Sequence, residues 1–260
     1  MSGISELRQQ AWVIWTLQAL VGLAYLAAVS TALAQPVGAI KTQLDLQIPV
    51  ERHVDVAAFE ALHIDGHVTV TIYQAERPWL RIQGDKAALD GTRFEVTDGV
   101  LYIEASGDHA PSKLTVSVGV SELREVVFDG AGVVKGAGLA MRDLLLEGND
   151  ASRFAFSELR VRDLVVVGNG HTSFELSGSA VNQSIDLAGY SDYRAPKLRS
   201  QTAMVSVKGD GVVDLWTDAL LDVLVLGKAD VRYSGDPWVR RQVLGHGAIH
   251  PHTHNASLRL

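Results

Sequence analysis

The sequence predicts an all-β fold: a right-handed parallel β-helix-like solenoid with coils of about 18–21 residues, preceded by an N-terminal signal or anchor helix. Three observations carry this. First, a glycine recurs at Gly130, Gly148, Gly168, Gly189, Gly209, Gly227 and Gly245, at spacings of 18, 20, 21, 20, 18 and 18. Second, the residues two and four places before the first six of these glycines are all apolar, from Val126 and Phe128 to Val223 and Val225. Positions differing by two share one face of a strand. Third, "LLLEGNDASRFAFSE" is followed twenty residues later by "LVVVGNGHTSFELSG", nearly the same phrase. A unit of strand, glycine turn and strand cannot bury its inward side chains alone, so successive units must stack. The recurring glycine is read as the corner, where a positive φ or a close backbone approach is needed.

At the N-terminus, Ala11–Ala34 is an almost uncharged apolar run ending in Ala32-Leu33-Ala34. This predicts a secretory signal peptide cleaved after Ala34. The run also exceeds the ~20 residues that span a bilayer, so an uncleaved membrane anchor is the rival. Both place the rest of the chain outside the cytoplasm. Residues 35–54 read as a linker and 55–120 as an irregular first β section. Residues 121–247 read as the regular stack, and 248–260 as a flexible histidine-containing tail. Arg241 stands where the last coil should be apolar, so the stack is expected to end there.

"FEALHIDGHVTVTI" and the later "LREVVFDGAGVVKGAGL" carry a resemblance. With Phe59, Leu62, Ile64, Gly66, Val70 and Ile72 in its opening pattern, the chain resembles the GIN-domain family, described as heads of bacterial auto-transporter adhesins. "DGAG" at Asp129–Gly132 and "KGDG" at Lys208–Gly211 are close to that family's Gly-rich coils, and the resemblance covers residues 55–247. The family's serines are mostly lost, and Tyr190 and Lys228 occupy turn positions. The resemblance implies a secreted, solenoid-like β domain and transfers no catalytic residue.

Several function classes are excluded by composition. A net charge of −7 argues against a nucleic-acid binder. With no cysteine there is no disulfide, thiolate metal site or catalytic thiol. "GAGVVKGAG" at 130–138 lacks the helix that a phosphate loop requires. Asp129 and Glu147, each just before its glycine, would stack as paired acids, but the next members of that column are Val167 and Ala188, so no acidic cleft continues. No catalytic, cofactor or metal residue is assigned, although His246, His250, His252 and His254 form a tract of metal-ligating type.

Two outward columns remain. Lys135, Arg153, Arg194 and Arg232 share the offset five after the glycine and form a possible strip for anionic glycans or lipid headgroups. Val127, Leu145, Val165, Val167, Leu224 and Leu226 make some strands apolar on both faces. Such a face is covered, by the 55–120 section or by a partner or second copy. The expected function is an exported, non-catalytic binding or adhesion module of the cell envelope, meeting the membrane only through an uncleaved N-terminus. A self-associating envelope scaffold and a carbohydrate-active enzyme are the alternatives.

Overall fold

The structure, a computed structural model, describes residues 50–105 and 114–252. The predicted signal or anchor segment, most of the linker, and His254 with the end of the tail lie outside the described residues. Strand β1 (Val50–Val54) runs antiparallel to β3 (Trp79–Gly84), and between them in sequence lies the long β2 (Ala61–Gln74). A five-residue helix, α1 (Lys86–Asp90), is capped by the Asp85 carboxylate, which accepts from the Ala88 N–H at 2.8 Å. Strands β4 (Thr92–Thr97) and β5 (Val100–Ala105) form a hairpin, and β6 (Thr115–Val120) follows.

The stack then proceeds through β7 (Glu125–Ala137), β8 (Asp143–Arg160), β9 (Asp163–Gly168), β10 (Ser173–Ser179), β11 (Asn182–Leu187) and β12 (Asp192–Val207). It ends with β13 (Asp210–Val225), β14 (Lys228–Ser234), β15 (Trp238–Val243) and β16 (Ala248–Pro251). From β2 onward every coil-to-coil pairing is parallel. A coil is a strand, the corner, and a second strand, followed by a bend that leads up one rung. The core is a column of Leu, Val, Ile and Phe running through all coils, each side chain contributing roughly 1.5–3 kcal/mol by burial.

The register corrects the reading of the glycines. Gly130 pairs with Asp150, not with Gly148. The corner column is Gly66, Gly130, Asp150, Gly170, Gly189, Gly209, Gly227 and Gly245, each stacked on the one before. Gly189 shows why glycine is used here: its φ is +71°, and a Cβ would lie 2.6 Å from the Gly170 carbonyl oxygen. Asp150 takes the left-handed conformation at φ 58°, one that Asp tolerates better than most residues. Gly148 and Gly168 lie inside strands with their missing side chains pointing into the core. A Cβ on Gly148 would meet the Phe154 ring at 2.8 Å, and one on Gly168 the Phe174 ring at 3.1 Å. These two glycines make room for aromatic rings. The slip is two residues, an even number, so inward and outward assignments survive it.

The 55–120 section is a second correction. Its described residues, 55–105 and 114–120, do not lie over the apolar outer face. Strand β2 is itself a coil, paired in register with β7 from Ala61↔Glu125 to Ile72↔Gly136. Strands β5 and β6 continue the stack below it, and the antiparallel β4, β3 and β1 close that end. Val50–Val54, expected in a linker, and Ala248–Pro251, expected in a flexible tail, are both strands. Among the described residues no helix is long and apolar enough to cross a membrane.

Candidate functional site

The second strand of each coil carries the features that make a site. It bends where the register shifts: between Leu176 and Gly178 against β8, and between Ala195 and Arg199 against β13. Glu158 at φ 54° and Gly178 at φ 129° supply positive φ at these bends. Pro196, which has no N–H to give to a ladder, sits in the β12 bend.

Beside the bends lies an open groove of about 690 Å³. Its lining is mainly apolar and includes Ile72, Tyr73, Ala155, Phe156, Leu176 and Pro196. Its cations are Lys135, Arg194 and Lys197. One rung of the register explains the shape: Thr71, Lys135, Ala155, Glu175 and Arg194 are successive partners across the coils. Ala155, between a lysine and a glutamate, leaves the gap. Arg194 donates to Asp192 Oδ2 at 2.8 Å. Among the described residues, neither Lys135 nor Lys197 has an ion-pair partner.

The predicted cationic strip is therefore split. Lys135 and Arg194 share the groove. Arg153 lies two places along its strand, paired with Val133 and Ser173 and donating to Ser173 Oγ at 3.3 Å. Arg232 is on the Lys135 rung but pairs with Asp230, whose hydrogen bond and charge raise the guanidinium pKa further. With Glu175 and Asp214 in place, the rung alternates in sign. Lys197 escaped the sequence reading because the bend takes it out of the repeating columns.

The apolar outer face resolves into two patches. Val127, Leu145, Val165 and Val167 cluster on three coils around Glu147, and Leu224 and Leu226 lie at the far end. Ser184, Asp186, Ser206 and Lys208 stand between them, together with Met204, which is 58% exposed and pairs with Ser184 and Asp222. Val165 is 39% exposed and Leu226 43%. Asp129 and Glu147 are not on one rung. Asp129 pairs with Asn149, which donates to its carboxylate, and Asn169 donates to Asn149 at 3.0 Å. That column is an amide ladder rather than paired acids. His252 meets Asp214 at 2.7 Å and His250 meets Asp230 at 3.5 Å, tying the last strand to the stack. Among the described residues no group of three metal-ligating side chains converges.

Comparison with known proteins adds the following. The family described as "Putative auto-transporter adhesin, head GIN domain" matches residues 58–237. A "putative adhesin" from Bacteroides fragilis is similar in structure at a TM-score of 0.74 and 20% identity, over 78% of this chain and 96% of that one. A "putative lipid binding protein" from Parabacteroides distasonis gives 0.61 and 15%, over 78% and 96%. A "putative adhesin" from Parabacteroides merdae gives 0.57 and 17%, over 78% and 95%. No curated protein sequence matches the chain.

Proposed function

Because the chain belongs to the family of auto-transporter adhesin head GIN domains, we propose that it is an exported, non-catalytic binding module of the cell envelope. Its ligand is anionic with an apolar part, and it is taken at the groove rimmed by Lys135, Arg194 and Lys197. The observation that carries this reading is the juxtaposition of a mainly apolar groove with cations of which two have no acidic partner among the described residues. An unpaired ammonium beside apolar surface suits a phosphate or carboxylate head with a hydrocarbon or sugar body. The likeness to a solved protein described as lipid-binding supports the amphiphilic half of the reading.

The test is flotation with vesicles of phosphatidylglycerol, against phosphatidylcholine alone, in parallel with an anionic polysaccharide. Binding to either anionic probe should fall with salt and be lost in a Lys135→Glu, Arg194→Glu double variant. Unchanged binding by that variant overturns the reading. Self-association is a second reading, favoured by the last described coil. There Trp238 and Leu244 are each 67% exposed, beside the edge of β15 that no described strand pairs. Sedimentation at varied concentration, with Trp238→Ser as control, decides it.

A further inference from the structure

A second groove runs parallel to the stack axis at the glycine corner, with a volume of about 940 Å³. Its floor is one column of the stack. Just past the corner, successive coils place Ser152, Thr172 and Ser191, all buried, and then Gly211, Ala229 and Gly247. Thr172, Gly211, Ala229 and Gly247 line the trench between the two outward columns that flank them. One side of the trench is the column immediately after the corner: His171, Tyr190, Asp210, Lys228 and His246. These are consecutive rungs about 4.8 Å apart, so the line extends roughly 19 Å.

The side chains in that line have a specific chemistry. His171 and Tyr190 stack with ring centroids 5.0 Å apart and planes 17° apart. Their ring planes therefore lie across the axis of the trench. The far face of Tyr190, a residue 63% exposed, turns toward the next rung, where Asp210 stands. Asp210 and Lys228 follow as an acceptor and a donor, with no ion pair to any described residue. On the opposite side Asp192 is already committed: its Oδ1 accepts from the Val212 N–H at 3.0 Å and its Oδ2 from Arg194.

We propose that this trench is a binding site for an uncharged, linear oligosaccharide, distinct from the basic-rimmed groove. A sugar has apolar ring faces and a girdle of hydroxyls that both donate and accept. It matches a ring platform followed at coil spacing by a carboxylate and an ammonium. The trench offers a polyanion no basic field to enter, because Arg153 and Lys228 along it are matched by Asp192, Asp210 and Asp230. A lipid chain is disfavoured because the line beyond Tyr190 is polar. A trench this long spans several sugar units rather than one.

Isothermal titration with neutral hexasaccharides of glucose, N-acetylglucosamine and xylose, beside a galacturonate hexamer, tests the site. At least one neutral hexamer should bind more tightly than the galacturonate. Tyr190→Ala should weaken it about tenfold or more, with thermal stability unchanged because the ring is exposed. Lys135→Glu, Lys197→Glu should leave this binding intact, because neither lysine lines the trench or contacts a residue that does, and this separates the trench from the groove. Absence of binding by every neutral hexamer overturns the proposal. So does full affinity in Tyr190→Ala, or tighter binding of the galacturonate.

Discussion

The coils built from β8, β9 and β10 and those built from the second half of β12, β13 and β14 fill the same column in opposite ways. In the earlier coils the strand before the corner contributes Gly148 and Gly168, and the strand after it contributes Phe154 and Phe174. The two rings stack at 4.9 Å with planes 12° apart. In the later coils the same two positions are Val207 with Val213 and Val225 with Val231, all fully or nearly buried. What the stack fixes is the volume across each layer, not the residue at either position. A large ring is accepted where the facing position is empty, as close packing of interiors requires.

Removing a ring strikes this arrangement hardest. Phe174 is fully buried and packed between Phe154 and the Tyr193 layer. Phe174→Ala should cost about 3–5 kcal/mol, and Val213→Ala in a later coil clearly less, because the cavity term scales with the volume deleted. Urea melts of the two variants check the ranking, and equal costs would deny the volume argument. Gly168→Val is the converse. Its Cβ would stand 2.6 Å from Thr172 Oγ1 and 3.0 Å from Leu187 Cδ2, an overpacking of about 1–3 kcal/mol. Combining Gly168→Val with Phe174→Val recreates the later coils' solution. The pair should then cost less than the sum of the single variants by about 0.5–3 kcal/mol. Strict additivity would show that the two positions do not share space.

This compensation also explains what the sequence made legible. Parity along each strand was readable from Leu164, Val166, Phe174 and their counterparts, because a two-residue period survives an even slip. The register was not. Gly148 and Gly170 are the same residue type serving different ends, and no local pattern separates a corner glycine from one emptied for a ring. Asp150 hid the true corner in its coil. The same slip scattered the basic strip: Lys135 and Arg194 do share a rung, whereas Arg153 does not. Lys197 was invisible because bends add residues that no period counts.

Tyr193 marks the border between the two kinds of coil. It is fully buried, and its hydroxyl donates to Gln183 Oε1, while Gln183 Nε2 donates to the Trp216 carbonyl at 3.3 Å. Tyr193→Phe keeps the ring and strands the buried amide oxygen, at about 1–3 kcal/mol. Burial raises the phenol pKa far above its usual value. The unfolded chain releases this proton near pH ~10 while the folded chain retains it. Stability should therefore fall as pH rises past that point. Tyr193→Phe should remove this alkaline slope, measured as the urea midpoint at pH 8 against pH 10.5. A slope that persists would place the alkaline sensitivity elsewhere.

The smallest effect belongs to the outside of the later coils, where β15 is held to β13 partly by charge. Arg240 donates to Asp222 across the rung that pairs them. That hydrogen bond and charge hold the Asp222 carboxyl below its usual range. Because the folded pKa is depressed, the contribution is complete above the unfolded value of ~3.9 and is lost as pH falls through the folded one. Asp222→Asn should lower the melting temperature slightly at pH 7 and not at all at pH 2, and added salt should shrink the difference. A drop as large as that of Gly168→Val would mean that the final coil is held by its surface charges. Its inward Val239 and Ile249 would then contribute less than their place on the core column implies.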